Sequence, residues 1–333
     1  MRPAKKPRKP RVVKPKLARP SIAKRVLTVR GPARATKSAS TPERATRLRW
    51  TAGIASGVSG IRRYQLFKPS GVQRSERLPL VVMLHGCAQD AKAMAASTNM
   101  NRLAQVERFI VLYPEQDRLA NLQNCWNWYD TRNGRAQREA ESIACAVDHI
   151  CLTQPVDPRR MAVAGLSAGA GMASLLAVRQ PERFQAVVMH SGVGPGLASS
   201  PATALGAMRG RRVPVPLMPL VAGLHLPSLL VIQGSADPIV APGNGAKVAQ
   251  LWADREGAQA GRPRTVQRGK RYPAKITDYC NRGRRVATLC LVSGLGHAWS
   301  GGEPGLAYSD PNGPDASRMA WSFMKKQFAQ RAR

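Results

Sequence analysis

The residues Met161–Val178, MAVAGLSAGAGMASLLAV, contain the most informative fold signal in this chain. Residues 161–164 form a short apolar run that predicts a buried strand, and residues 172–178 predict a helix. Between them Gly165-Leu-Ser-Ala-Gly169 forms a Gly-x-Ser-x-Gly turn, whose glycines lack the Cβ atoms that would collide where strand and helix pass close. Such a turn presents a serine hydroxyl at the carboxyl end of a strand, beside a helix N-terminus that favours negative charge. The pattern predicts Ser167 as a nucleophile, with a Gly/Ser-rich connection without chemistry as the alternative.

Other apolar runs along the chain alternate with segments of helical periodicity. Apolar runs are typical of strands buried on both faces of a parallel sheet, and they occur here at Leu78–Leu84, Phe109–Tyr113 and Leu229–Ile232. Phe184–Met189 is predicted as a further strand. The segment Arg62–Lys68 alternates instead and predicts an edge strand. This order predicts an α/β fold with a doubly wound, mostly parallel sheet and helices on both faces. In such sheets ligands bind beyond the carboxyl ends of the strands, so reactive residues should directly follow strands.

A serine hydroxyl needs a base within reach, and the base needs an acid that fixes its tautomer. Among the five histidines, His297 follows the last predicted strand in a Gly-rich turn and is the best candidate base. Asp237 follows another strand and lies between Ser167 and His297, which is the Ser…Asp…His order of α/β-hydrolases. The alternative role for Asp237 is a turn or N-cap aspartate. We expect His85 to brace its loop rather than act as a base.

An ester hydrolase also needs N–H donors for the oxyanion that develops during acyl transfer. The first predicted donor is the backbone N–H of Ala168, the residue directly after the nucleophile. The second is the backbone N–H of Cys87, in the loop after an early strand, where Gly86 lets the backbone turn toward the site.

Five separated motifs carry a resemblance to a known family: His85-Gly-Cys-x-Gln, Cys125-Trp-Asn-Trp, Gly165-Leu-Ser-Ala-Gly, Gly234-x-x-Asp-x-x-Val and Gly294-x-Gly-His-Ala-Trp-Ser-Gly-Gly. From about Arg62 to Phe328 the chain resembles esterases of the polyhydroxybutyrate (short-chain polyhydroxyalkanoate) depolymerase family with a type 1 catalytic domain. The resemblance implies an α/β-hydrolase fold and the same assignment of the triad, Ser167, Asp237 and His297. It also implies Cys87 and Ala168 amides in the oxyanion hole and a disulfide between Cys87 and Cys125.

The expected activity is therefore serine-dependent hydrolysis of short-chain hydroxyacyl esters, such as polyhydroxybutyrate or its oligomers, through an acyl-enzyme without metal or cofactor. Because the family is similar to feruloyl and acetylxylan esterases, a carbohydrate esterase is the alternative. Trp126, Trp128 and Trp299 are predicted to line an apolar substrate cleft, with packing in the core as the alternative.

Positive charge is concentrated at the start of the chain. The whole chain has 52 Lys and Arg against 19 Asp and Glu, and residues 1–49 hold 17 of the former and only Glu43 of the latter. Low hydrophobicity with high like charge predicts a disordered Pro/Lys/Arg-rich tail over 1–49, followed by a single esterase domain over 50–333. A third hypothesis is a polyanion-binding protein that uses this tail, with the hydrolase fold as scaffold.

Within the domain, the Gly/Ala/Pro-rich residues 193–226 predict either a lid or wall over a pocket or a surface excursion.

No apolar run predicts a secretory signal or a transmembrane helix, whereas many members of the resembled family are exported. The location is therefore open between export and the cytoplasm, and the oligomeric state is also open.

None of the six cysteines forms a Cys-x-x-Cys pair, which argues against a zinc site. Cys280 and Cys290 lie in predicted hairpins and are close enough in sequence to bridge.

Overall fold

A computed structural model describes residues 50–217 and 223–330. The basic segment 1–49 lies outside the described residues, so its predicted disorder and its predicted binding to polyanions stay predictions. Within the described ranges, no helix has the length and apolarity needed to span a bilayer.

The centre of the described chain is an eleven-stranded sheet with the order β1-β2-β4-β3-β5-β6-β7-β11-β10-β8, in which β9 pairs with β10. The strands from β4 through β11 in this order run parallel, and antiparallel strands flank them on both sides. The strands are β1 (Trp50–Gly57), β2 (Gly60–Phe67), β3 (Leu78–Leu84), β4 (Ile110–Pro114), β5 (Val156–Leu166), β6 (Ala186–His190), β7 (Ser228–Gly234), β8 (Gln259–Ala260), β9 (Arg264–Val266), β10 (Ala274–Asn281) and β11 (Arg284–Val292), with a separate parallel pair, β12 (Trp299–Ser300) and β13 (Ser309–Asp310).

Helices cover both faces of this sheet, as predicted. The seven helices of the described ranges are α1 (Ala91–Thr98), α2 (Met100–Glu107), α3 (Arg135–Thr153), α4 (Ala168–Arg179), α5 (Pro201–Met208), α6 (Gly243–Arg255) and α7 (Ala316–Gln330). Buried side chains of α3, α4, α5 and α6 belong to one hydrophobic cluster, and those of α1, α2 and α7 belong to the other. The prediction of a mostly parallel, doubly wound α/β-hydrolase sheet is thereby confirmed.

Strand β3 is a central strand whose sequence contains no polar residue. All seven of its residues are buried. Leu80, Val82 and Leu84 enter the cluster on the α3–α6 face, whereas Val81 and Met83 enter the cluster on the opposite face. Successive side chains of a strand point to opposite faces, so a central strand that is covered on both sides must be apolar throughout.

Two details of the sequence prediction were wrong. The strand predicted at the edge, Arg62–Lys68, corresponds to β2, which pairs with β1 on one side and β4 on the other. Cys280 and Cys290, expected to lie close enough to bridge, are both free, because the β10–β11 register pairs Cys280 with Arg285 and Cys290 with Ile276. Cysteines that are not opposite one another in a hairpin cannot approach to bonding distance without moving the backbone.

Candidate active site

The turn between β5 and α4 has the strained geometry that its sequence predicts. Ser167 has φ 56° and ψ −118°, in a region that non-glycine residues rarely occupy, and its N–H donates to the carbonyl of His190 at 2.9 Å. A Cβ on Gly165 would collide with the backbone of Gly169, and one on Gly169 would collide with the carbonyl of Leu84. The two glycines are therefore required where α4 crosses the ends of β3 and β5.

We expect Gly169→Ala to lower the free energy of unfolding by about 3 kcal/mol, since the new methyl group meets backbone atoms that cannot rotate away. Gly206→Ala is a matched control, because the nearest atom to its new Cβ lies 3.7 Å away and the residue belongs to α5. The control should gain about 0.5–1 kcal/mol from helix propensity. Urea unfolding followed by circular dichroism measures both changes, and equal stability of Gly169→Ala and the wild type would contradict the predicted crowding.

The predicted acid and base are in direct contact. The Nδ1 atom of His297 lies 2.8 Å from Oδ2 of Asp237, and both side chains are buried. Oδ1 of Asp237 accepts the backbone N–H groups of Ile239 and Val240, each at 2.9 Å, and Oδ2 also accepts from Nε2 of Gln233 at 3.2 Å. Each carboxylate oxygen is therefore held by donors from the turn or from β7.

These contacts keep Asp237 ionised. Burial by itself raises the pKa of this carboxyl, but the hydrogen bond with His297 and those from Val240 and Ile239 outweigh burial and leave its pKa below the ordinary value. An ionised Asp237 accepts a hydrogen bond from the Nδ1–H group of His297, so Nδ1 carries the hydrogen and Nε2 is the basic ring nitrogen.

His190 connects the nucleophile turn to the turn that contains His297. Its backbone carbonyl accepts the N–H of Ser167, and its Nε2 accepts the N–H of Ser300 at 3.1 Å. The imidazole also stacks on Trp299, with ring centroids 5.0 Å apart. Ser167 Oγ itself has no hydrogen-bond partner within residues 50–217 and 223–330, and bonds of this kind are often long before substrate binds. The structure thus joins Asp237 to His297 directly, and it joins Ser167 through His190 to Ser300, which follows His297 by three residues.

Two buried histidines near the site are held in the neutral form. Burial, together with the neighbouring His297, lowers the pKa of His190 to about 3. Burial also lowers the pKa of His85 to about 4. Nε2 of His85 accepts the N–H of Gln116 at 3.1 Å, while its Nδ1 contacts the carbonyl of Gly86. His85 thus braces the loop that follows β3.

The buried histidines predict a loss of stability in mild acid. In the folded state His85 and His190 stay neutral down to about pH 4 and pH 3, whereas in the unfolded chain each binds a proton below its ordinary pKa of 6.5. Since the unfolded state binds more protons, the free energy of unfolding should fall by roughly 2 kcal/mol per histidine between pH 7 and pH 5. Urea unfolding at both pH values measures the loss. It should be smaller in His85→Gln and His190→Gln, and an unchanged pH slope in both variants would contradict the assignment.

The predicted oxyanion donors face one cavity of about 230 Å³. Cys87, Ser167 and Ala168 all line it. The backbone N–H groups of Cys87 and Ala168 donate to no acceptor within the described ranges, although most buried amides in proteins are paired. Two unpaired donors beside a half-buried serine form the arrangement that an acyl-transfer oxyanion requires.

The disulfide that the resemblance implied is present. Cys87 and Cys125 are bonded across a sequence separation of 38 residues, and both line the cavity. The bond joins the loop after β3 to the Trp-rich loop. The side chain of Gln89 strengthens the first loop, because its Oε1 accepts the N–H of Gly86 at 3.0 Å.

The three tryptophans predicted to line a cleft have different positions. Trp128 lines the cavity together with Tyr129 and Val193. Trp126 and Trp299 are fully buried and are not among the cavity residues, so for them the prediction was wrong. Trp126 packs on His85 with ring centroids 5.3 Å apart, and Nε1 of Trp299 donates to Ser317. Both support loops of the site from within the core.

Residues 193–217 of the predicted lid or wall contribute to one side of the cavity. Val193, Ala204 and Met208 line it, the latter two from α5, and Val240 completes this side. Residues 218–222 lie outside the described residues.

Sequence reasoning missed two polar contacts. His190 was not among the predicted site residues, although its place at the carboxyl end of β6 marked it for the same edge as Ser167. Gln233 was not singled out, although it is buried near the end of β7, four residues before Asp237. Within the described ranges, no group of three or more His, Cys, Asp or Glu side chains is arranged to hold a metal ion.

The fold and the geometry of this site define an α/β-hydrolase. The family model described as "Esterase PHB depolymerase" matches residues 62–261, well over half of the chain. The chain therefore belongs to the PHB depolymerase family of esterases.

Individual proteins extend this comparison. The chain is 31% identical over 244 residues to poly(3-hydroxyalkanoate) depolymerase C of Paucimonas lemoignei, an alignment that covers 70% of this chain and 58% of that protein. It is 26% identical over 236 residues to a probable acetylxylan esterase A of Aspergillus clavatus, which covers 66% of this chain and 74% of that protein. An acetyl xylan esterase structure from Aspergillus awamori has the same fold, with a TM-score of 0.62, 20% identity and coverage of 74% of this chain and 94% of that one.

Proposed function

We propose that this protein is a serine esterase that hydrolyses short-chain hydroxyacyl esters, such as polyhydroxybutyrate or its oligomers, through an acyl-enzyme. The observation that carries the proposal is the buried 2.8 Å contact between Asp237 and His297. A neutral imidazole with one nitrogen committed to a carboxylate is the base that a serine nucleophile needs. Ser167, in its strained turn, is the nucleophile.

In the first half-reaction, Ser167 Oγ attacks the ester carbonyl while Nε2 of His297 takes the hydroxyl proton. The carbonyl oxygen becomes an oxyanion that accepts the unpaired N–H groups of Cys87 and Ala168. Asp237 stabilises the imidazolium but keeps its own negative charge. As the intermediate collapses, the carbon–oxygen bond to the alcohol breaks, and His297 returns the proton to the leaving alkoxide.

In the second half-reaction, water replaces the alcohol. Nε2 of His297 takes a proton from water, and the hydroxide attacks the acyl-enzyme carbonyl. The bond to Ser167 Oγ then breaks, and the serine regains its proton from His297. The products are the free acid and the alcohol.

The cavity and its surroundings support an apolar ester of limited size. Its 230 Å³ volume lies below the usual range of about 300–1,000 Å³ for drug-sized ligands. Three exposed aliphatic residues are chain neighbours of cavity residues: Leu122 is 92% exposed, Leu205 52% and Ile239 48%. Exposed apolar side chains of this kind suit contact with a water-insoluble substrate.

A carbohydrate esterase is the second candidate, favoured by the similarity to acetylxylan esterases. Initial rates on polyhydroxybutyrate films, soluble 3-hydroxybutyrate oligomers, acetylated xylan and feruloylated xylan separate the candidates. The hydroxyacyl proposal expects activity on films and oligomers that exceeds activity on both xylans. Higher activity on either xylan than on the oligomers would overturn it.

Replacing Leu122, Leu205 and Ile239 together by serine should lower the rate on a polyhydroxybutyrate film by about tenfold, because less apolar area adsorbs to the solid. Hydrolysis of soluble p-nitrophenyl acetate should stay within about twofold, since none of the three lines the cavity. The matched control replaces three exposed residues that do not adjoin cavity residues, Val58, Val106 and Leu152, by serine. Equal film rates for the two triple variants would contradict this role.

A further inference from the structure

A second cavity, of about 480 Å³, lies between the β9–β10 hairpin and α7. None of its residues lines the cavity beside Ser167. Its volume lies within the range of small-molecule sites, about 300–1,000 Å³. We call it the α7 cleft, and the residues used below to define it are Leu230, Arg268, Ala274, Met319, Phe323 and Lys326.

The floor of the α7 cleft is apolar. Leu230, Ala274 and Phe323 are buried members of the hydrophobic cluster on the α7 face of the sheet. Ile276 and Met319 pack against the same cluster and are only partly buried. A floor of this kind accepts hydrocarbon and offers few partners to the hydroxyl groups of a sugar.

The rim of the α7 cleft is cationic. Six cationic side chains line the cleft against two carboxylates: Arg264, Arg268, Arg271, Arg285, Arg318 and Lys326 against Asp278 and Asp315. An excess of positive charge beside a low-dielectric floor attracts anions.

Most of these cations already have partners. Asp278 pairs with Arg264 at 2.6 Å and with Arg285 at 3.3 Å, and Asp315 pairs with Arg318 at 3.3 Å. Arg271 donates to the backbone carbonyls of residues 311 and 313. Within the described ranges, the side chains of Arg268 and Lys326 have neither a hydrogen bond nor an ion pair. They are the two cations left for a ligand.

We propose that the α7 cleft binds a free single-chain amphiphile with a carboxylate head group. Its hydrocarbon chain lies on the floor formed by Leu230, Ala274 and Phe323, and its carboxylate pairs with Arg268 and Lys326. The apolar floor discriminates against small hydrophilic anions, and the rim discriminates against neutral or cationic amphiphiles. This binding does not depend on the esterase reaction.

Isothermal titration of the full chain with decanoate, below its micelle concentration, tests the proposal. We expect saturable binding that weakens by at least roughly tenfold in Arg268→Glu/Lys326→Glu, since each charged contact contributes about a factor of ten. Ser322→Trp, which fills the cleft from an exposed position on α7, should also weaken binding. The matched control Arg74→Glu/Lys92→Glu changes the net charge equally at exposed positions outside the cleft and should bind like the wild type.

Further measurements distinguish the ligand classes. Decanol should bind far more weakly than decanoate, and equal binding would overturn the role of the cationic rim. Retained decanoate affinity in Arg268→Glu/Lys326→Glu would place the ligand elsewhere, including the cavity beside Ser167, and overturn the proposal. Binding to phosphatidylglycerol vesicles without binding to free decanoate would assign the cleft to a membrane surface and overturn it as well. Unchanged p-nitrophenyl acetate hydrolysis in the cleft variants shows that they are folded.

Discussion

Ser167→Ala is expected to lower kcat for p-nitrophenyl butyrate by about 10⁴–10⁶-fold, because no other group can form the acyl-enzyme. The remaining rate should still exceed that in buffer, since the amides of Cys87 and Ala168 continue to stabilise the oxyanion for direct attack by water. Stopped-flow measurement at high enzyme concentration should show a burst of nitrophenol in the wild type if deacylation is slow, and no burst in the variant. The removed oxygen has no hydrogen bond in the described structure, so folding should be unaffected.

Ser174→Ala is the matched control for this experiment. Ser174 lies in the same helix, and its hydroxyl donates only to the carbonyl of Gly171. Its loss should change kcat by less than about twofold. A Ser167→Ala variant that keeps more than a few per cent of the wild-type activity would refute the nucleophile assignment, whatever the control shows.

Asp237→Asn is expected to lower kcat by about 10⁴-fold, through the tautomer of His297. The N–H groups of Ile239 and Val240 require an acceptor at the position of Oδ1. An asparagine satisfies them with its carbonyl oxygen and must then direct its NH₂ group at Nδ1 of His297. That nitrogen becomes an acceptor, the proton moves to Nε2, and His297 can no longer take the proton of Ser167.

The matched control for Asp237→Asn is Asp157→Asn. Asp157 also accepts hydrogen bonds, from Arg160 and from the backbone of Arg159, but it lies at the start of β5, at the other end of the strand from Ser167. Its substitution should leave kcat within about twofold. Nitrogen-15 chemical shifts of His297 report the tautomer directly, so an Asp237→Asn variant with low activity and an unchanged tautomer would contradict the mechanism.

The sequence predicted the parts of the fold that depend on local pattern. Leu78–Leu84 is apolar throughout because both faces of a central strand are covered, and the structure buries every residue of it. Gly165 and Gly169 predicted a close crossing of strand and helix, and the structure leaves no room for a Cβ at either position. Asp237 and His297 were expected at strand ends, and the two are in contact.

Other features depended on which elements pack together, and sequence pattern does not contain that information. Trp126 and Trp299 were predicted to line a substrate cleft, but both are buried in the core. The β10–β11 register places Cys280 opposite Arg285 and Cys290 opposite Ile276, so the two cysteines are not cross-strand neighbours. Register depends on the hairpin turn and on which side chains the two strands bury, so proximity in sequence did not predict a bond.

Sequence pattern is sufficient to predict the α/β class, the strained serine turn and the chain order of the reactive residues, because these depend on backbone sterics and on the period of apolar residues. How the reactive residues are held depends on tertiary contacts. Asp237 is fixed by Gln233 and two backbone amides, and neutral His190 links the turn of Ser167 to that of Ser300. These contacts join separate strands at one edge of the sheet, and their distances depend on how the whole sheet twists and packs.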